Sequence, residues 1–104
     1  MERTINTGVK IEPNTTPSEY SLNQNYPNPF NPSTSISFSL PQSGRVQLEV
    51  YDITGRFITR LVDGMMGVGT HTVQFSGENI PSGVYIYTLK TEGYTSVRKM
   101  MLVK

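Results

Sequence analysis

From residue 34 onward, apolar side chains return at every second position in short runs, and a 3.6-residue period never takes over. Ile36, Phe38 and Leu40 alternate with Ser35, Ser37 and Ser39, which is the pattern of a strand with one buried face. Pro41-Gln42-Ser43-Gly44 breaks that run, and Val46, Leu48 and Val50 then resume it against Arg45, Gln47 and Glu49. Asp52-Ile53-Thr54-Gly55 supplies the next turn, because an Asp side chain bonds the backbone two residues on and Gly accepts a left-handed angle.

Residues 56–62 read as a third strand whose facing stays open: Phe57, Thr59 and Leu61 form one plausible inward set, and Ile58, Arg60 and Val62 the other. Residues 63–69, with Gly64, Gly67, Gly69 and two methionines, suit a wide connection lying over the sandwich edge. A fourth strand sets His71, Val73 and Phe75 against Thr70, Thr72 and Gln74. Residues 84–89 are apolar on both faces, as befits the centre of a sheet. In the last strand, residues 94–103, Met100 and Leu102 face away from Lys99, Met101 and Val103. With a short strand within residues 20–26, six or seven mainly antiparallel strands are expected, an all-β sandwich.

A chain of 104 residues makes one domain and hides roughly two-thirds of its unfolded surface. Charged residues are 16% of it, against roughly 25% in average soluble domains, and Ser and Thr take the solvent positions, a composition suited to an extracellular module. A formal net charge of +1 gives no general attraction to nucleic acid or anionic membrane. The lack of cysteine removes disulfides and thiolate metal sites together. No basic start leads into an apolar stretch and no run of about 18 apolar residues occurs, so neither a signal peptide nor a membrane span is expected in this stretch. The favoured expectation is a piece of a longer protein, with residues 1–19 as linker.

Ahead of the first long strand stands Tyr26-Pro27-Asn28-Pro29-Phe30-Asn31-Pro32. Three fixed φ angles and three missing N–H groups exclude helix and central strand, leaving a stiff extended or turn element at the domain entrance.

Nothing in the chain composes an active site. The sole histidine, His71, sits mid-strand in step with Val73 and Phe75, with no second histidine to share a metal. Glu49, Asp52, Asp63, Glu78 and Glu92 fall at strand ends or turns, and without a dense Asp/Asn run they make a poor Ca²⁺ set. No metal and no cofactor is therefore expected. Tyr85 and Tyr87 share one strand face and suggest a sugar-stacking platform, although core packing suits them better in a chain without tryptophan. Arg98, Lys99 and Lys104 put three positive charges in the last seven residues. These charges serve either to keep an exposed edge from aggregating or to meet a receptor, and composition leaves the two readings equal.

The run from Leu22 through Asn25 to Pro32, then Thr34, Ile36, Phe38, Leu40-Pro41, Gly44, Val50-Tyr51-Asp52, Gly55, Leu61, Gly69, His71, Ser82-Gly83-Val84-Tyr85, and finally Lys99-Met100 and Lys104, resembles a type IX secretion C-terminal sorting domain over residues 20–104. The resemblance implies an immunoglobulin-like β-sandwich that ends a larger secreted protein of Bacteroidota-type bacteria. The passenger would cross the inner membrane on an N-terminal signal, and the domain would then be recognised by the type IX translocon for passage from the periplasm to the surface or medium. A sortase-like peptidase commonly removes such a domain and can join the passenger to an anionic lipopolysaccharide. The resemblance gives Pro27 to Pro29, Gly83 to Tyr85 and Lys99 to Lys104 recognition or folding roles and no catalytic one. A terminal edge strand with unpaired N–H and C=O groups could be read by strand addition, and edge pairing or strand exchange into a dimer is open. The alternative is a related sandwich that serves as a structural or carbohydrate-binding appendage of an extracellular enzyme.

Overall fold

The computed structural model describes residues 16–104. Its strands are β1 (Ser21–Leu22), β2 (Ser33–Leu40), β3 (Gly44–Asp52), β4 (Phe57–Met66), β5 (Gly69–Ser76), β6 (Gly83–Thr91) and β7 (Tyr94–Leu102). They form a three-stranded sheet, β1-β2-β5, and a four-stranded sheet, β4-β3-β6-β7, and every strand pair is antiparallel. The expected all-β, immunoglobulin-like sandwich is the observed architecture. Of the expected linker only residues 16–19 fall among the described residues, so the rest of that expectation lies outside them.

Alternation decides the core. Ile36, Phe38 and Leu40 of β2 are buried between the sheets and meet Val46, Leu48 and Val50 of β3, Tyr85, Tyr87 and Leu89 of β6, and Met100 and Leu102 of β7. Each such side chain contributes about 1.5–3 kcal/mol through the area it withdraws from water. β6 lies between β3 and β7, as its apolar faces require, with Tyr87 opposite Val50 and Leu89 opposite Leu48. Asp52 builds the β3–β4 turn: its Oδ1 accepts from the Thr54 N–H at 2.9 Å, the Thr54 hydroxyl at 2.6 Å and the Arg56 N–H at 3.0 Å. Gly55 completes that turn at φ 91°, a left-handed angle that favours glycine.

Two expectations need correction. The wide connection over residues 63–69 is instead strand: β4 continues to Met66 and pairs with β3 as far back as Gly44. Only Gly67 and Val68 then link it to β5 in the other sheet. The ladder and the packing of Met66 on the core hold the glycine-rich stretch extended. The facing of β4 follows neither alternating set, because register shifts beside Leu48/Glu49 and Val50/Tyr51 change its phase, and Ile58, Leu61, Val62 and Met66 all reach the core.

Glu49 is the second correction. It sits in the middle of β3, only 5% exposed, rather than at a strand end. Its carboxylate accepts from the Tyr51 hydroxyl at 2.6 Å and from Arg60 Nε at 2.7 Å. Those two bonds, the tyrosine first and the guanidinium second, outweigh desolvation and hold it below the ordinary glutamate range. The same bond raises the Tyr51 hydroxyl.

Candidate recognition site

Residues 26–32 form a strap that crosses from the three-stranded sheet to the free edge of β7. It leaves β2 at Tyr26, which exchanges both backbone hydrogen bonds with Ser35 at 2.9 Å. All three of its X-Pro bonds are cis. At the far side Phe30 donates its N–H to Met101 O at 2.9 Å and accepts from the Val103 N–H at 3.0 Å, a parallel bridge opposite Leu102. The Asn28 side chain takes the Met101 N–H at 3.0 Å, and Gln24 Nε2 donates to Lys99 O at 2.7 Å. Four outward groups at the end of the last strand, Lys99 O, Met101 N, Met101 O and Val103 N, thus have partners.

The prolines explain why this segment can close an edge. Phe30 spends its N–H and C=O on the tail, and Pro27, Pro29 and Pro32 have no N–H to offer a further strand. The Phe30 ring is 1% exposed and meets Phe75 edge to face at 5.9 Å. Pro32 O accepts from the Gly77 N–H at 2.7 Å. A Cβ on Gly77 would lie 2.7 Å from Leu102 Cδ2 and 3.3 Å from Phe30 Cε2, so a glycine lets strap and tail meet over it.

Buried polar groups pin the strap from below. The Tyr87 hydroxyl accepts from the Asn25 N–H at 2.8 Å and donates to Asn23 O at 2.7 Å, and burial pushes its pKa above the ordinary tyrosine value. The Asn25 amide donates to Pro27 O at 3.0 Å and to Thr34 Oγ1 at 2.9 Å, and the Thr34 hydroxyl donates to the same Pro27 carbonyl at 2.8 Å. Asn25 and Thr34 are 2% and 1% exposed, and a buried polar group without its partner would cost about 1–3 kcal/mol.

The three stretches singled out from sequence therefore meet. Gly83, Val84 and Tyr85 pair with Leu102, Met101 and Met100, the strap covers the other side of that strand, and Lys104 donates its N–H to Ser82 Oγ and its Nζ to Glu78 O. Gly83 adopts φ 154°, a backbone angle that favours glycine. Tyr26 points to solvent, 81% exposed, and Asn31 is exposed. The expected unpaired tail edge is corrected at its C-terminal end, where the strap bonds Met101 and Val103. A sugar platform of Tyr85 and Tyr87 is overturned too, since both rings lie in the core and the Tyr85 hydroxyl is spent on Pro81 O. His71 is half-buried on β5, its ring 5.5 Å from Phe38 and its Nε2 2.7 Å from Gly67 O.

Sequence reasoning missed Gln24, Asn25, Thr34 and Gly77 as site residues. Gln24, Asn25 and Thr34 stood in the stretch that carried the resemblance, but an asparagine or threonine beside prolines reads as loop, and nothing local reveals that it is buried. Gly77 had no signal, because its constraint comes from side chains far away in the chain.

Among the described residues no three His, Cys, Asp or Glu side chains come close enough to hold a metal ion, and no helix is long and apolar enough to cross a membrane. The arrangement offers a shaped surface made from two chain segments.

A search of curated proteins finds no match to the chain. Among solved structures it is similar to PorZ, an essential bacterial surface component of the type-IX secretion system of Porphyromonas gingivalis, at 17% identity and a TM-score of 0.56, covering 82% of this chain and 11% of that one. It is also similar to dimeric latent PorU from Porphyromonas gingivalis, at 20% identity and a TM-score of 0.60, covering 95% of this chain and 10% of that one. The chain thus spans about a tenth of the length of these proteins, and at such identity the likeness is one of fold. The model of the secretion system C-terminal sorting domain matches residues 24–104, from Gln24 ahead of the strap to the last lysine. With most of its length matched, strap and tail included, the chain belongs to the family of C-terminal sorting domains, the sorting signals of type IX secretion.

Proposed function

We propose that strap and tail strand are recognised together, as one folded surface, by the type IX translocon, and that residues 20–104 are the unit recognised. The docking of Phe30 between Met101 and Val103 carries this reading. It joins the proline segment and the terminal basic strand, two motifs about seventy residues apart in the sequence, and it takes up the edge groups that strand addition would need. Residues 26–32, 83–85, 99, 100 and 104 act by binding and shape rather than catalysis. Residues 1–19 link the domain to a passenger that reaches the cell surface or medium through the periplasm, and a sortase-like peptidase cuts within this linker.

The test joins the whole chain to the C-terminus of a periplasmic reporter in a host competent for type IX secretion. The reporter is expected at the surface or in the medium, with the released domain beginning within residues 1–19. Retention in the periplasm would contradict the sorting role, and release with the domain still attached would contradict cleavage.

A further inference from the structure

The two outer faces of the sandwich differ in chemistry. On the three-stranded sheet the outward side chains of β2 and β5 satisfy one another: Ser37 meets Thr72 at 3.0 Å, Ser39 meets Thr70 at 3.1 Å, and Gln74 donates to Ser35 at 2.7 Å. The charges of the β3–β4 half of the other outer face are likewise self-paired, through Arg45–Asp63 at 2.9 Å and Arg60–Glu49 at 2.7 Å, with Met65 beside them 73% exposed. The β6–β7 half is not. There Val84 stands opposite Met101 and Ile86 opposite Lys99, with Val97 one step along, opposite Thr88. Val97 is 57% exposed and Met101 44%, and Asn28 of the strap borders the shallow depression that Val84, Lys99 and Met101 line.

Lys99 and Lys90 are the cations of this face that no ion pair or hydrogen bond uses among the described residues, and of the two Lys99 is the one that stands among the apolar side chains. Among the described residues the ion pairs use Arg45, Arg56 and Arg60, while Arg98 donates to Leu22 O and Lys104 to Glu78 O. A lysine stem can cover apolar neighbours while its ammonium stays in water, but here the flanking valine and methionine remain about half exposed. An apolar strip with one unpaired cation in its middle is complementary to apolar side chains around one carboxylate, and such a pair gains when the contact excludes water.

We infer that Val84, Ile86, Val97, Lys99 and Met101, with Asn28 at the border, form the surface that the sorting machinery grips, and that the partner is a protein surface presenting apolar side chains around a carboxylate. This inference rests on the sorting role and names the face that serves it. The strip continues the strap-and-tail element, so a partner seated on it would touch both motifs at once.

The test uses the whole chain joined to a reporter in a secretion-competent host, reading the exported fraction and the melting temperature of each variant. Lys99→Glu and Val97→Asp are expected to cut export roughly tenfold or more, the scale of about 1.4 kcal/mol of lost affinity, with melting little changed because both positions face solvent. Lys99→Met keeps the stem without the charge and is expected to fall several-fold, whereas Thr72→Glu on the opposite face and Lys90→Glu beyond the strip export normally. Export of Lys99→Glu and Val97→Asp at the unsubstituted level would overturn the inference. Normal export of Lys99→Met would remove the carboxylate from the partner. Failure of the unsubstituted chain to export would instead sink the sorting role itself.

Discussion

The two flanks of the sandwich end in different ways. Beside β7 the strap supplies partners for both backbone groups of Met101 and for the Val103 N–H, and Gln24 ahead of it takes Lys99 O. Across the molecule β4 and β5 terminate their sheets without a neighbouring strand among the described residues, joined only through Gly67 and Val68. The open flank is managed by irregularity and polarity, with two register shifts in β4, the charges of Arg60 and Asp63, and the hydroxyls of Thr70 and Thr72. The closed flank uses a segment that cannot propagate a sheet. A proline-rich stretch that is useless as a central strand thus covers the end of an edge, and it stands where the sorting motifs lie.

The largest expected contrast is in packing. Phe30→Ala removes the buried ring that holds strap to tail and is expected to cost about 3–5 kcal/mol. Ile58→Ala, at a half-buried position on the open flank, is expected to cost no more than about 2 kcal/mol. Denaturant titration of both variants measures the difference, and equal losses would break the contrast.

A smaller effect is expected beneath the strap. Tyr87→Phe keeps the ring but strips the Asn25 N–H and Asn23 C=O of their partner, which should destabilise by about 1–3 kcal/mol. The loss should appear with the domain still folded, as faster exchange of the Asn25 amide. An unchanged rate there would mean that the hydroxyl does not anchor the strap.

The smallest effect separates the flanks by pH. The Glu49 carboxylate is held below its ordinary value of 4.5, so its contribution is complete above that value and is lost as pH falls through the lowered folded-state value. The strap's hydrogen bonds involve no carboxylate. Mild acid should therefore loosen the β3–β4 side first, and Glu49→Gln should flatten that part of the stability profile. A strap that opens at the same pH would contradict this separation.

Much of the fold was legible because it depends on local alternation. Ile36 to Leu40 and Val46 to Val50 declared their faces through side-chain period alone, residues 84–89 declared a central place by being apolar on both faces, and Asp52 with Gly55 declared its turn. β4 was not legible in the same way, since bulges against β3 rather than its own pattern set which residues reach the core. Glu49 looked like a solvated charge because Arg60 became its neighbour only through that irregular pairing, although Tyr51 stands two residues along the same strand. Of the site, the three stretches were visible as motifs through a resemblance, yet no sequence period shows that residues 26–32 lie on residues 99–103. That contact depends on Asn25, Thr34 and Gly77, whose burial is a property of the assembled sandwich.

The central claim is that the tail's outer edge is closed by the strap, and amide hydrogen exchange on the full chain tests it within one strand. In β7 and the residue after it the N–H groups of Thr95, Val97, Lys99, Met101 and Val103 share one direction, away from β6, by the alternation of the ladder. Met101 and Val103 meet Asn28 and Phe30, whereas no strand is hydrogen-bonded to the outward side of Thr95 and Val97 among the described residues. Met101 and Val103 are expected to exchange as slowly as the amides bonded between β6 and β7, with Thr95 and Val97 fast. Fast exchange at Met101 and Val103, matching Thr95 and Val97, would show an open edge and contradict the account.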